Sequence, residues 1–261
     1  MMMTSHPDIA YRYDKSFDGL LTCVFESFSR KETPGRLLTM TEPLPLFAEE
    51  RVIVTDDAKS HRVWTALEKR LSRLGTSALV YSWHADSIKN IDETIFRYIH
   101  KAFSTNVSIE KNFADYDVLE VTNTMRKVSH ERLRMMQFVR FQKTIDGIYV
   151  AVFEPIYNVL PLAEPHFEDR FSDQKWLVYD LKRSFGYYYD MKTVTEITLP
   201  DMQEQMFGGF LKDELLDKDD KMFQKLWKTY FEAVSIKERI NPRKQLKDMP
   251  RRYWKHLIEK R

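Results

Sequence analysis

Apolar residues recur every three to four positions in some stretches and every second position in others, and these two periods lay out the chain. Phe17, Leu20, Leu21, Val24, Phe25 and Phe28 share one face of a helix over residues 16–30. Val63, Trp64, Leu67, Leu71 and Leu74 do the same over 57–74, opened by Asp56 or Asp57 and closed by Gly75. Ile88, Ile91, Ile95, Phe96 and Ile99 mark a third helix over 87–103. Strand-like runs at 11–14, 51–55 and 77–83 separate these helices, while 31–45, with Pro34-Gly35, Pro43 and Pro45, reads as a loop. The order β-α-β-α-β-α implies a small α/β-like region over residues 1–105, with strand direction open.

From residue 106 the pattern changes. A long helix over 110–136 carries Phe113, Tyr116, Leu119, Met125, Val128, Leu133 and Met136. Strand-like runs follow at 138–143, 148–154, 176–181, 185–191 and 193–199, giving an antiparallel sheet of about five strands. Asp146-Gly147 is a hairpin signal between the first two. Several strand positions are apolar on both faces, so helices should cover the sheet on both sides. Pro165 suits the first position of a short helix over 166–172. Asp201-x-x-Glu204 resembles a capping box. Residues 217–235 form a helix with Met222, Phe223, Leu226, Trp227, Tyr230 and Phe231 inward. The whole reads as an α+β protein, with a C-terminal α+β domain over 106–261 that ends in a basic helical tail.

Composition bears on function mainly by exclusion. Of 261 residues, 43% are hydrophobic and 31% charged, enough apolar mass for one large core or two small ones. The formal net charge of +2 means that any basic surface is local. Cys23 is the one cysteine, which rules out a disulfide framework, a thiolate zinc site or an iron–sulfur cluster held by this chain alone, and fits a reducing cytoplasm. No apolar run reaches the roughly 18–20 residues that span a bilayer, and the first residues lack a signal-peptide pattern. A cytoplasmic protein with no membrane partner is the expectation. Phosphate-binding glycine motifs, H-E-x-x-H, paired cysteines and a serine elbow are all missing, so no metal and no cofactor is called for.

The tail is the local basic surface. Lys237, Arg239, Arg243, Lys244, Lys247, Arg251, Arg252, Lys255, Lys260 and Arg261 face only Glu238, Asp248 and Glu259, and Tyr253 and Trp254 interleave with them. Cations neutralise phosphates and rings pack on bases, which suits nucleic acid. The same segment can equally dock Trp254, Leu257 and Ile258 on the core with its cations in water. A second constellation is His166, Arg170, Asp180 and Arg183, with Arg140 and Asp169 nearby in the sequence. As an enzyme, His166 is a general acid or base oriented by Asp180, and the arginines clamp phosphate. As a binding site, the arginines act alone. As structure, Asp180 pairs with Arg183 or Arg140. Glu154, Asp180 and Asp190, at strand ends, could also hold magnesium. Tyr187 and Tyr189 share a strand face with Phe185, for packing or for stacking.

Four blocks carry a resemblance: Phe138-Val-Arg-Phe, Val159-Leu-Pro-Leu to Pro165-His-Phe-Glu-Asp-Arg-Phe, Trp176-Leu-Val-Tyr-Asp-Leu-Lys-Arg, and Trp227 through Arg239-Ile-Asn-Pro to Met249-Pro-Arg-Arg-Tyr-Trp. They resemble the prokaryotic family of probable DNA metabolism, or DNA repair, proteins, whose C-terminal domain has no assigned activity. The resemblance is close over about residues 110–258 and looser over Tyr13-Asp14 and Phe17-Asp-Gly-Leu-Leu. It implies a genomic pairing with a radical S-adenosylmethionine (SAM) protein, and in some members a fusion to a uracil-DNA glycosylase-like domain, of which no trace stands in this sequence. A radical SAM cluster needs three cysteines, so this chain would be the partner and not that enzyme. The leading expectation is a DNA-associated repair or modification accessory protein, binding DNA, the radical SAM protein or both. Its rivals are a hydrolase or glycosylase-like enzyme centred on His166 and Asp180, and a non-catalytic scaffold.

Overall fold

Strand β1 (Ser5–Arg12) is the middle of a three-stranded sheet, between β2 (Thr33–Leu38) and β3 (Glu49–Val52), and it runs parallel to both. These elements belong to a computed structural model that describes residues 5–234 and 241–260. Parallel neighbours need a crossover, and α1 (Phe17–Arg30) supplies it between β1 and β2. The Ser16 hydroxyl accepts from the Gly19 N–H at 2.9 Å and opens α1, and Leu20, Leu21, Cys23 and Val24 are buried along it. Strand β2 corrects the expected loop: Pro34 is tolerated because β2 is an edge strand, and Leu37 and Leu38 anchor it in the core.

Helix α2 (Asp57–Arg70) starts at Asp56, whose carboxylate accepts from the Lys59 N–H. Residues 77–83, expected as a strand, belong instead to α3 (Arg73–Trp83). Ser-Ala-Leu-Val-Tyr-Ser-Trp has strand-like composition, but Ser72 caps the helix, and Gly75, Ala78, Leu79 and Ser82 are buried at helical spacing. Burial has overridden propensity here. With α4 (Ile91–Ser104) the observed order is β-α-β-β-α-α-α, not an alternation. The chain divides into two compact units, the first ending at Ser129 and the second beginning at His130; α5 (Tyr116–Phe138) has residues in each.

The second unit contains a five-stranded sheet in the order β4 (Gln142–Lys143), β5 (Tyr149–Phe153), β6 (Trp176–Asp180), β7 (Phe185–Tyr189) and β8 (Val194–Ile197). All pairs are antiparallel except β5 with β6, which α6 (Leu160–Arg170) joins. Gly147, at φ +77°, turns the β4–β5 hairpin where the Asp-Gly pair signalled it. Strand β4 is shorter than expected, so Arg140 precedes it and is not mid-strand. Helix α6 begins earlier than the expected 166–172, with Pro161 in its first turn and Pro165 inside it. Every residue of β6 is buried, as a sheet covered on both faces requires. Val150, Val152, Leu177 and Tyr179 on one face pack with Leu181, Met202, Leu211 and Leu216.

No helix opens at Asp201: turns run through 201–205 into the small hairpin β9 (Met206–Phe207) and β10 (Phe210–Leu211). Then come α7 (Asp220–Val234) and α8 (Pro242–Asp248), the latter opened by Asn241 accepting from the Lys244 N–H at 3.0 Å, and a 3-10 turn over Arg251–His256. Tyr253, Leu257 and Ile258 are buried, so the tail docks on its own unit. The fold is α+β. No helix among the described residues is long and apolar enough to cross a membrane.

Candidate functional site

Glu131, on α5, is 2% exposed, and the guanidinium of Arg252 is its ion-pair partner. The same carboxylate accepts the Ile156 N–H at 2.9 Å. A buried carboxylate needs this compensation, so Arg252 is spent on structure. Arg140 meets Glu259 at 2.7 Å and lies over the Trp227 ring at 5.2 Å, while the Trp227 indole N–H donates to the other Glu259 oxygen at 2.9 Å. Burial alone would push the Glu259 carboxyl up, but hydrogen bonds from Arg140 and Trp227 outweigh it and hold it below the usual range. Lys255 pairs with Glu154 at 2.6 Å, and Lys244 with Asp248 at 2.8 Å.

Asp180 is fully buried, and its carboxylate takes Arg183 Nη1 at 2.7 Å and the Lys182 and Arg183 N–H groups. Burial pushes this carboxyl up, with Arg183 opposing it. Arg183 also donates to the carbonyls of Pro155 and Ile156. His166 is half-buried on α6, edge-on to Phe167 at 5.7 Å, and is not among the partners of Asp180. Glu154, Asp180 and Asp190 go to separate partners, Asp190 accepting the Lys192 and Thr193 N–H groups, and the described residues hold no cluster of three or more potential metal ligands. Tyr189 stacks on Trp176 at 5.5 Å inside the unit, and the Tyr187 hydroxyl reaches Glu196.

Arg140, Arg183, Lys244, Arg252 and Lys255 are thus matched with carboxylates, and Tyr253 is buried. Arg170, Arg243, Lys247 and Arg251 are exposed, with no carboxylate partner among the described residues. Arg251 lies near the Trp254 ring at 5.9 Å. Lys237, Glu238, Arg239 and Arg261 lie outside the described residues.

Beside the Arg140–Glu259–Trp227 cluster a cleft of about 910 Å³ opens. Phe141, Phe171, Phe223, Leu226, Trp227 and Tyr230 wall it, with Arg140, Arg170, Asp220 and Gln224 as its polar members. Arg170 lies over the Phe171 ring at 5.5 Å. Contrary to the expected inward face, Met222, Phe223, Leu226, Trp227 and Tyr230 of α7 are all exposed, and Val234 extends the stripe. The amphipathic pattern is real, but within the described residues this face is only partly covered. A contiguous exposed apolar stripe is the ordinary mark of an interaction surface.

The sequence profile of a protein family described as a domain of unknown function, DUF4130, matches residues 89–259. The chain belongs to the DUF4130 family. The DUF4130 match takes in α4, α5, the five-stranded sheet, the cleft and the docked tail through Glu259, and leaves β1–β3 and α1–α3 outside it. No curated protein and no solved structure matches the DUF4130 chain. Sequence reasoning missed Glu131 and the cleft walls Phe141 and Phe171 of this DUF4130 unit. The available signal was Trp227 and Tyr230 on a helix as apolar on one face as it is charged on the other.

Proposed function

We propose that this DUF4130 protein is a non-catalytic accessory protein of DNA repair or modification that docks a partner enzyme on the α7 cleft. The carrying observation is the exposed stripe Phe223–Leu226–Trp227–Tyr230 beside an open aromatic cleft. Aromatic residues with an arginine at their rim are the usual composition of an interface centre. The sequence resemblance supplies the partner class, a radical SAM protein. Isothermal titration of the two purified proteins tests this. Binding should be measurable, and Leu226→Asp or Trp227→Ala should weaken it by about tenfold or more. A wild-type chain that gives no complex at ~50 µM overturns the reading.

A second reading has one observation in its favour. Arg170 stands exposed over Phe171 at the cleft rim, so an unpaired base could stack inside with its phosphate on Arg170. It predicts salt-dependent binding of a labelled single strand that Arg170→Ala weakens for all sequences alike. The enzyme reading has no such support, because Asp180 is committed to Arg183.

A further inference from the structure

The connection from β2 to β3 breaks two local rules at once. Pro45, Leu46, Phe47 and Ala48 form a turn closed by the Ala48 N–H donating to the Pro45 carbonyl at 3.1 Å. Phe47 takes the third position at φ +66°, in the left-handed region where glycine or asparagine is the ordinary occupant. Phe47 is 95% exposed and Leu46 89%. Backbone strain and the hydration of two large apolar groups are both unfavourable, and no packing at the tip compensates either. Strain held at an exposed position points to use by something outside the chain.

The base of this finger is fixed. Arg12, buried, donates to the carbonyls of Thr39 and Glu42 and pairs with Glu50. The Glu42 carboxylate accepts the Thr39 N–H at 2.6 Å, and Pro43 and Pro45 restrict the rising limb. The tip is therefore held in position before any encounter, which lowers the ordering cost of binding. Residues 40–50 contain Glu42, Glu49 and Glu50 and no lysine or arginine. Arg12 and Arg51 pair with Glu50 and Glu49, which leaves the base without a surplus of positive charge. Such a finger has no attraction for phosphates or for anionic headgroups, and suits a protein surface with basic side chains around an apolar pocket.

We propose that Leu46 and Phe47 are a docking anchor that enters an apolar, basic-rimmed pocket on a partner protein. The test rests on the accessory reading for its probe, the radical SAM protein. Phe47→Gly is the informative variant, because glycine accepts the φ of this turn, so its Tm should equal or exceed that of the wild type while its affinity for the probe falls tenfold or more. Leu46→Asn should lower affinity in the same direction with Tm unchanged. Equal affinity of Phe47→Gly and wild type, with Trp227→Ala still weakening the complex, overturns the anchor and leaves the accessory reading standing. Absence of any wild-type complex overturns both. A fall in Tm of Phe47→Gly by several degrees makes the residue a packing element and overturns the anchor. Two further controls do the same: a dimer in sedimentation velocity that Phe47→Gly dissolves assigns the finger to a second copy, and Phe47-dependent binding to phosphatidylcholine–phosphatidylglycerol vesicles assigns it to a lipid surface.

Discussion

The guanidinium of Arg252 is ion-paired with the buried carboxylate of Glu131, a residue 121 positions earlier in the chain. Arg252→Ala strands that carboxylate, so the expected effect is a loss of stability of about 3 kcal/mol in urea unfolding. Arg251→Ala, one position away and exposed, should change stability by less than about 0.5 kcal/mol. The pair separates structural from surface roles in the basic tail: any DNA affinity lost in Arg251→Ala at constant stability belongs to a phosphate contact, whereas loss in Arg252→Ala follows unfolding.

Glu259 gives an acid limb. Its folded pKa lies below its unfolded value because Arg140 and Trp227 outweigh burial. Its contribution is therefore complete above the unfolded carboxylate value, near pH 4.3, and is lost as pH falls through the lower folded value. Glu259→Gln should be less stable than wild type at pH 7 and should converge toward it below pH 4 in chemical denaturation.

His100 acts in a different window. It stacks on Phe28 at 4.6 Å, its Nε2 is buried with no hydrogen-bond partner among the described residues, and burial holds its pKa below the ordinary histidine value. The unfolded chain thus binds the proton first, and stability falls as pH drops below about 6.5. His100→Phe keeps a ring against Phe28, and it should flatten the stability profile between pH 7.5 and 5.5.

Asp180 and His166 divide the enzyme reading from the structural one. Asp180→Ala removes the acceptor of Arg183 and of two backbone N–H groups in a fully buried position, and should cost about 3 kcal/mol or more. His166→Ala removes a half-buried ring and should cost less than about 1 kcal/mol. Thermal unfolding of the two variants checks the ordering; a His166 variant as damaged as the Asp180 variant would contradict it.

Much of the fold was legible where one signal dominated locally. Periodicity placed α1, α4 and the start of α2, and Asp146-Gly147 placed the β4–β5 turn, whereas Leu74 and Gly75, expected to close α2, lie in α3. Residues 77–83 failed because β-branched and aromatic side chains mimic a strand, and only the cap at Ser72 and burial against the rest of the unit decide otherwise. Strand β2 was hidden by Pro34-Gly35, which are harmless at an edge. The site was less legible for a different reason. The tail cations and Arg140 were visible in the sequence, but their partners Glu131, Glu154 and Glu259 are set by tertiary structure. On α7 the apolar stripe was read correctly, but periodicity does not say whether the surface that covers it belongs to the same chain.

The second unit is latched by groups from its two ends: Glu131 and Arg140 near the start hold Arg252 and Glu259 near residue 260. On a ribosome adding roughly 5–20 residues per second, β7 is made roughly 3–13 seconds before Arg252. Throughout that interval the nascent sheet lacks its latch, with Glu131 already synthesised and its counter-charge not yet made. Chaperones and proteases would meet the chain at this stage, before the finished protein exists, so variants of the closing residues should show themselves first as low yield.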